Sequence, residues 1–276
     1  MYQQIQNFFN ISVYTSFSKE IGVRNKYFSK NISFKPPLHK DTITFSGINS
    51  YVIPGYPDLK QHDILGWEEY YCGPVSAANG ILSLKNPNLQ DDNLINTLAA
   101  HFKTNRDGTS INNLCSGVSS FLQEKGINNF NVEYQGAMEA GNYKTINIPD
   151  LTKIKSELPK PGFIILTFGF YKKTGYGKNV KYERSYGHCV NAIGYQEDTK
   201  NSNNNLLIIN DPYKRTKGEL NLKLKKVPKG KLLNNKDDTE KMQLNQAKGL
   251  YEVSGLPYLR KGQVALLDGV VFVNIK

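Results

Sequence analysis

In the stretch Tyr70-Tyr71-Cys72-Gly73-Pro74-Val75-Ser76-Ala77-Ala78-Asn79-Gly80-Ile81-Leu82, a cysteine stands between two aromatic residues and a run of small and apolar ones. Pro74 suits the first turn of a helix, because the N–H that proline lacks would have no helical partner there. The small residues allow close packing, and Ile81 and Leu82 continue an apolar face. The pattern predicts a closely packed helix that begins at Cys72.

Cys72 is a candidate nucleophile because of this position. A thiolate at a helix N-terminus is stabilised by the positive end of the helix dipole and by free backbone N–H groups, so its pKa falls. Covalent catalysis by cysteine needs such an ionised thiol. The alternative is that Cys72 is a small buried hydrophobic residue, which is a common place for a free cysteine.

Composition limits the classes of partner and cofactor. The chain has 35 Lys and Arg against 24 Asp and Glu, a net charge of +11, which favours anionic partners such as acidic peptides, acidic surfaces or nucleic acid. No nucleic-acid-binding motif accompanies the lysines, so we expect no nucleic-acid partner. The three cysteines, Cys72, Cys115 and Cys189, fit neither a zinc pattern nor a disulfide scaffold, and we expect no metal and no cofactor.

Signals for membranes and targeting are absent from the sequence. No run of 18 apolar residues occurs, so no membrane span is expected. The first twenty residues lack the charged start and the continuous apolar run of a signal peptide. If a signal had been removed before residue 1, the protein would be secreted or extracytoplasmic; the sequence specifies neither the compartment nor an oligomeric state.

The order of patterns along the chain predicts an α+β fold. Helical patterns come first, in the Cys72 stretch, at 91–98 and at 110–125. Strand patterns follow at 130–134, 162–170, 189–195, 206–209, 250–253, 264–267 and 270–273, with a short helix at 150–158. Residues 171–186 look like a polar loop that forms one wall of a cleft. Helices followed by an antiparallel sheet are typical of the α+β class.

Two further segments flank or interrupt this main domain, which we place at 61–276. Residues 1–60 are predicted to be a β-rich N-terminal extension that packs on it, with strand-like runs at 8–14 and 41–45. This extension is interpreted as a cap, with a propeptide as the alternative. Residues 214–248 are lysine-rich and of low complexity, which indicates a solvated insertion or a long hairpin.

A base and an orienting group for Cys72 can be sought among the later strands. Of the four histidines, His188 lies at the start of the strand 189–195, where a side chain can project into a cleft. Asp211 directly follows the next strand, 206–209. If these strands are antiparallel neighbours, Asp211 lies beside His188 and can orient its imidazole. The alternatives are an ordinary structural histidine and a common Asp-Pro turn.

An oxyanion needs two hydrogen-bond donors. The backbone N–H of Cys72 supplies one at the start of the helix. Gln61, the only glutamine in the residues leading into that helix, is the candidate for the second. Trp67 is the single tryptophan of the chain, and we expect it to pack in the core or in the wall of the cleft.

Together these pieces carry a family resemblance. In order and at element boundaries, they resemble papain-like cysteine peptidases of the bacteriocin-processing-peptidase-like, or double-glycine-peptidase-like, group. The resemblance spans about residues 61–213 and rests on Gln61, Trp67, Tyr71-Cys72-Gly73-Pro74, Gly187-His188, Gly194-Tyr195 and Asn210-Asp211-Pro212.

The resemblance implies a papain-like fold, in which a helical half that bears the nucleophile packs on an antiparallel sheet that bears the base. By the same resemblance, Cys72 is the nucleophile, His188 the base, Asp211 its orienting group and Gln61 the oxyanion donor. A peptide or protein substrate is implied, and the basic charge of the chain would favour an acidic one. Gln61 lies eleven positions before Cys72, within a loop whose length varies in the family.

Three functions are compatible with these residues. The first is hydrolysis of a peptide or other amide bond through a thioester on Cys72. The second is transamidation, in which the same three residues pass the acyl group to an amine. The third is a peptide-binding module that has lost the reaction; a complete set of Cys72, His188 and Asp211 is unneeded for binding alone.

Overall fold

The computed structural model describes residues 43–45, 48–63, 66, 69–198, 200–201, 205–213, 218–234 and 240–276. The strand predicted at 8–14 and most of the predicted extension lie outside the described residues, as does Trp67. In chain order, the described elements are β1 (Ile43–Phe45), β2 (Ile48–Val52), a 3₁₀ turn (Gln61–Asp63), α1 (Cys72–Ser83), α2 (Leu94–His101), α3 (Ile111–Glu124), β3 (Phe130–Gly136), β4 (Lys144–Ile146), α4 (Leu151–Glu157), β5 (Gly162–Thr174), β6 (Lys181–Asp198), β7 (Leu206–Asn210), β8 (Glu219–Lys226), β9 (Lys231–Leu233), β10 (Tyr251–Ser254) and β11 (Gln263–Ile275).

The four helices among the described residues occur where the sequence predicts them, and the α+β class is confirmed. Local capping explains two of the helix starts. The hydroxyl of Ser110 accepts a hydrogen bond from the N–H of Asn113 at the start of α3, and the carboxylate of Asp150 accepts one from the N–H of Thr152 at the start of α4. Side-chain oxygens at this position satisfy backbone donors that the helix itself leaves unpaired.

The strands form one mixed sheet that closes on itself. β6 pairs with β7, β7 with β8, β8 with β10, β10 with β11, β11 with β5, and β5 again with β6. All of these pairings are antiparallel, so the six strands form a ring. Of the other strands, β2 and β9 pair with β6 and β3 pairs with β11, while β1 pairs with β2 and β4 with β3.

The ring separates two apolar clusters because side chains alternate between the faces of a strand. One cluster takes residues from all six ring strands and from α4, for example Phe168, Val190 and Phe272. The other lies between the opposite sheet face and helices α1, α2 and α3, and includes Cys189. Gly80 lets α1 approach the sheet: a Cβ there would lie 2.4 Å from the ring of Phe163. Helices α1, α2 and α3 therefore form a layer on the outer face of the ring.

Three local predictions differ from the structure. The predicted loop 171–186 is largely strand, because β5 continues to Thr174 and β6 begins at Lys181. The separate strands predicted at 264–267 and 270–273 are one strand, β11, whose register against β5 shifts at Asp268. The lysine-rich segment contributes β8, which pairs with β7 and β10 and buries Leu222.

Two other findings bear on function. Among the residues that the structure describes, no helix has the length and apolar content required to cross a bilayer. Within the same residues, no group of three or more His, Cys, Asp or Glu side chains is arranged to hold a metal ion.

Candidate active site

Cys72 is the first residue of α1 and is partly exposed. Its backbone N–H belongs to the first turn, where N–H groups have no intrahelical partner. One turn later, the hydroxyl of Ser76 donates a 3.0 Å hydrogen bond to the carbonyl of Cys189. This bond ties the start of α1 to β6 and brings the thiol of Cys72 to that strand.

His188 and Asp211 meet where β7 ends. The predicted antiparallel pairing of the two strands is confirmed: β6 pairs with β7 from Asn191, opposite Asn210, to Gln196. β7 stops at Asn210, and the chain turns at Asp211 and Pro212. The turn places the Asp211 carboxylate beside the imidazole of His188.

The Asp211 carboxylate holds the imidazole through one oxygen. His188 Nε2 lies 2.8 Å from Asp211 Oδ1, and Asp211 is fully buried. Oδ1 also accepts a 2.8 Å hydrogen bond from the backbone N–H of Tyr213, the local bond of an Asp-Pro turn. Oδ2 accepts a 2.7 Å hydrogen bond from the hydroxyl of Tyr258. The same carboxylate therefore stabilises the turn and binds the ring.

The pKa values of these three residues shift in complementary directions. Burial by itself lowers the pKa of His188, but the charge and the hydrogen bond of Asp211, together with smaller effects of Cys72, raise it to about 10. Burial by itself raises the pKa of Asp211, but the charge of His188 and the hydrogen bonds from His188, Tyr258 and the Tyr213 N–H together lower it. The pair is therefore an ionised carboxylate that accepts a hydrogen bond from the Nε2–H of an imidazolium.

The pKa of Cys72 lies well below that of an ordinary thiol. The largest cause is a hydrogen bond from the thiol of Cys189, and a hydrogen bond and the positive charge of His188 lower the pKa further, against the opposing effect of burial. His188 therefore affects the pKa of Cys72 and also binds the carboxylate of Asp211.

A set of buried polar contacts fixes α1 against the end of β7. The amide of Asn79, on α1, accepts a 2.8 Å hydrogen bond from the N–H of Leu59 and donates to the carbonyl of Leu59 at 3.1 Å. It also donates to the side-chain oxygen of Asn210 at 3.3 Å. Lys60 Nζ donates to the backbone carbonyl of Asp211 at 2.8 Å. These contacts hold the segment before Asp211 relative to the helix that bears Cys72.

Gln61 lies close to this junction. Its backbone N–H donates a 3.0 Å hydrogen bond to the carbonyl of Pro212, and its side chain is buried. The structure thus places Gln61 next to the Asp211 turn. Its assignment as an oxyanion donor stays a prediction.

Neither Tyr258 nor Tyr213 is predicted as a site residue from the sequence. Tyr258 lies in the connection between β10 and β11, and its ring centroid is 5.8 Å from that of His188. The ring of Tyr213 is 6.4 Å from that of His188. The chain has 17 tyrosines, and no local pattern distinguishes Tyr258 from the others. For Tyr213, the adjacent Asp-Pro turn was the available signal, because its backbone N–H is the usual partner of such an aspartate.

Comparison with known proteins gave one family. A sequence model described as the Peptidase C39-like family matches residues 53–236 of this chain, about two thirds of its length. Cys72, His188, Asp211 and Gln61 lie inside the matched segment, and Tyr258 lies outside it. Neither the curated proteins nor the solved structures gave a match.

Proposed function

Since this chain belongs to the Peptidase C39-like family, we propose that it is a cysteine-dependent hydrolase that cleaves peptide or related amide bonds. The single observation that carries the proposal is the position of His188. One ring nitrogen is 2.8 Å from the Asp211 carboxylate, and the interaction of the ring with Cys72 helps to raise the pKa of His188 and to lower that of Cys72. A nucleophile, a base and an orienting group are connected in this order in hydrolases with a catalytic triad.

The arrangement of the layers supports a papain-like fold. The candidate nucleophile begins α1 in the helical layer, and the candidate base and orienting group belong to β6 and to the turn after β7. The site thus lies where the helical layer meets an antiparallel ring of strands. A papain-like fold has the same division between a helical half and a sheet half.

The proposed reaction has two stages. The Cys72 thiolate attacks the carbonyl carbon of the scissile amide, and the resulting oxyanion accepts hydrogen bonds from the Cys72 N–H and the Gln61 side-chain amide. The imidazolium of His188 gives its proton to the leaving nitrogen, the C–N bond breaks, and the acyl group stays on Cys72 as a thioester.

Water completes the cycle. Neutral His188 removes a proton from a water molecule, whose oxygen attacks the thioester carbonyl. The C–S bond breaks, the carboxylic acid product leaves, and the thiolate of Cys72 and the imidazolium of His188 are restored. Asp211 holds the imidazole ring of His188 in one orientation and stabilises its imidazolium form in both stages.

Replacement of the sulfur tests the proposal. Incubation with a mixture of peptides, followed by mass spectrometry, should reveal cleavage by the native protein, and Cys72→Ala should reduce the rate at least about 10³-fold. Cys115→Ala is the matched control, because that thiol is buried in α3 away from the site, and it should leave the rate unchanged. A Cys72→Ala protein that cleaves at the native rate would refute the proposal.

The same experiment separates hydrolysis from transamidation. Hydrolysis yields a free carboxyl group at the new C-terminus whether or not an amine is added. Transamidation yields an amide with the added amine. We expect the carboxyl product to predominate, and predominance of the amide would assign acyl transfer to the same three residues.

A further inference from the structure

We propose that Tyr258 is a positioning residue that fixes the Asp211 carboxylate against His188, so that the hydrogen-bonded chain of the site continues from Cys72 through His188 and Asp211 to Tyr258. The inference rests on the function proposed above. Tyr258 lies beyond the segment 53–236 that matches the family. The C-terminal part of the chain would therefore complete a site whose other members lie inside the match.

Tyr258 contacts the carboxylate oxygen that His188 does not. Asp211 Oδ1 is held by His188 Nε2 and by the Tyr213 N–H, both at 2.8 Å. The torsion about the Cβ–Cγ bond of an aspartate has broad preferences, so each hydrogen bond to the carboxylate narrows its range. The 2.7 Å hydrogen bond from the Tyr258 hydroxyl to Oδ2 adds a restraint on the second oxygen. Both oxygens are then fixed, and with them the direction in which Oδ1 faces the imidazole.

The ring of Tyr258 is held by its neighbours, which aims its hydroxyl. It packs 4.8 Å from the ring of Tyr213 and 6.1 Å from that of Phe170, on β5. It also meets the ring of His188 almost perpendicularly, at 83°. Aromatic pairs favour such tilted or edge-on contacts. The chain before and after Tyr258 is fixed by β10 and β11 of the ring.

The hydroxyl of Tyr258 remains protonated, and so remains a hydrogen-bond donor, at neutral pH. Burial, and then the negative charge of Asp211, raise the pKa of Tyr258, so the phenol keeps its proton. The hydrogen bond that it donates helps to lower the pKa of Asp211. Tyr258 therefore favours the ionised state of Asp211, on which the charge of His188 depends.

Tyr258→Phe removes the hydroxyl and keeps the ring. We expect kcat for peptide cleavage to fall about ten- to 150-fold, the range for one hydrogen bond to a charged group, with KM changed less than about two-fold. The acid limb of the pH–rate profile should move to higher pH, because Asp211 then binds a proton more readily. Tyr51→Phe is the matched control: its hydroxyl donates to Leu158, away from the site, and both kcat and the acid limb should stay unchanged.

A double-mutant cycle tests whether Tyr258 acts through Asp211. When Asp211→Asn is already present, Tyr258→Phe should lower kcat less than about two-fold further. The inference would be overturned if the two substitutions lowered kcat by independent factors in the double variant. It would also be overturned if Tyr258→Phe lowered kcat without moving the acid limb. Native kcat in Tyr258→Phe while Cys72→Ala is inactive would overturn it as well, and that result leaves the proposed function intact. Activity in Cys72→Ala would instead refute the function itself.

Discussion

Cys72 is ionised at lower pH than an ordinary cysteine because two consecutive residues of β6 lie beside its sulfur. The largest effect is the hydrogen bond from Cys189, and the imidazolium of His188 adds a second hydrogen bond and a positive charge. The effect on His188 is reciprocal, since the hydrogen bond and the charge of Cys72 contribute to raising the pKa of His188 to about 10. Between the lowered pKa of the thiol and the raised pKa of the imidazole, the ion pair predominates.

The pH dependence of alkylation reports this ion pair. The depressed pKa means that the thiolate is lost only as pH falls through that lowered value. The rate of Cys72 modification by iodoacetamide should therefore already be near its maximum at neutral pH, below the ordinary thiol pKa of about 8.5. In His188→Ala, and in Cys189→Ala, the rise in rate should move toward alkaline pH.

Cys115 serves as the internal control for this measurement. Burial raises the pKa of Cys115 to about 12, so its thiol should stay unmodified in the folded protein. If Cys72 in the native protein reacted with the pH dependence of a free thiol, and His188→Ala did not change it, the ion pair would be absent.

At the scale of elements, the site depends on one junction between α1 and the end of β7. Asn79, fully buried on α1, bonds both backbone groups of Leu59 and the side chain of Asn210. The next residue after Asn210 is Asp211. Helix α1 thus holds Cys72 at its start and, two turns later, holds the segment that carries Asp211.

Asn79→Ala should destabilise the protein more than its size suggests. The substitution leaves buried backbone groups of Leu59 and the amide oxygen of Asn210 with fewer partners, and each such group costs about 1–3 kcal/mol. We expect the free energy of unfolding, measured with urea, to fall by about 2–4 kcal/mol. Asn96→Ala, at an exposed position of α2, should change it by less than about 0.5 kcal/mol. Equal values for the two variants would contradict this role of Asn79.

At the scale of the whole molecule, the local parts were predictable and the closure of the ring was not. The helices at Cys72 and at 110–125, and the antiparallel pairing after His188, follow from periodicity, capping and a short polar turn. The pairing of β5 with β11 joins residues about a hundred positions apart, and no local pattern specifies that partner. The lysine-rich strand β8 carried a detectable signal, since Leu220, Leu222 and Leu224 alternate along it.

Two residues illustrate why other parts of the fold and of the site could not be predicted from the sequence. Because Gly269 follows it, Asp268 resembles a turn residue in the sequence. In the structure it is fully buried at the register shift of β11. There it accepts hydrogen bonds from Thr167 and Tyr171 and faces the guanidinium of Arg184. Tyr258 likewise reaches Asp211 only because ring closure brings the β10–β11 connection to the end of β7. Both environments are products of long-range pairing.

The proposed mechanism requires that Cys72 carries the acyl group of the substrate as a thioester. This intermediate can be trapped by mixing the protein with a peptide ester, whose better leaving group speeds acylation, and by quenching the reaction in acid; mass spectrometry then locates the added mass. We expect one acyl group, on the peptide that contains Cys72. Hydroxylamine should remove it, and His188→Ala should accumulate it far more slowly. Turnover of the ester with the acyl group on another residue, or with no acylated protein at any time, would contradict the mechanism.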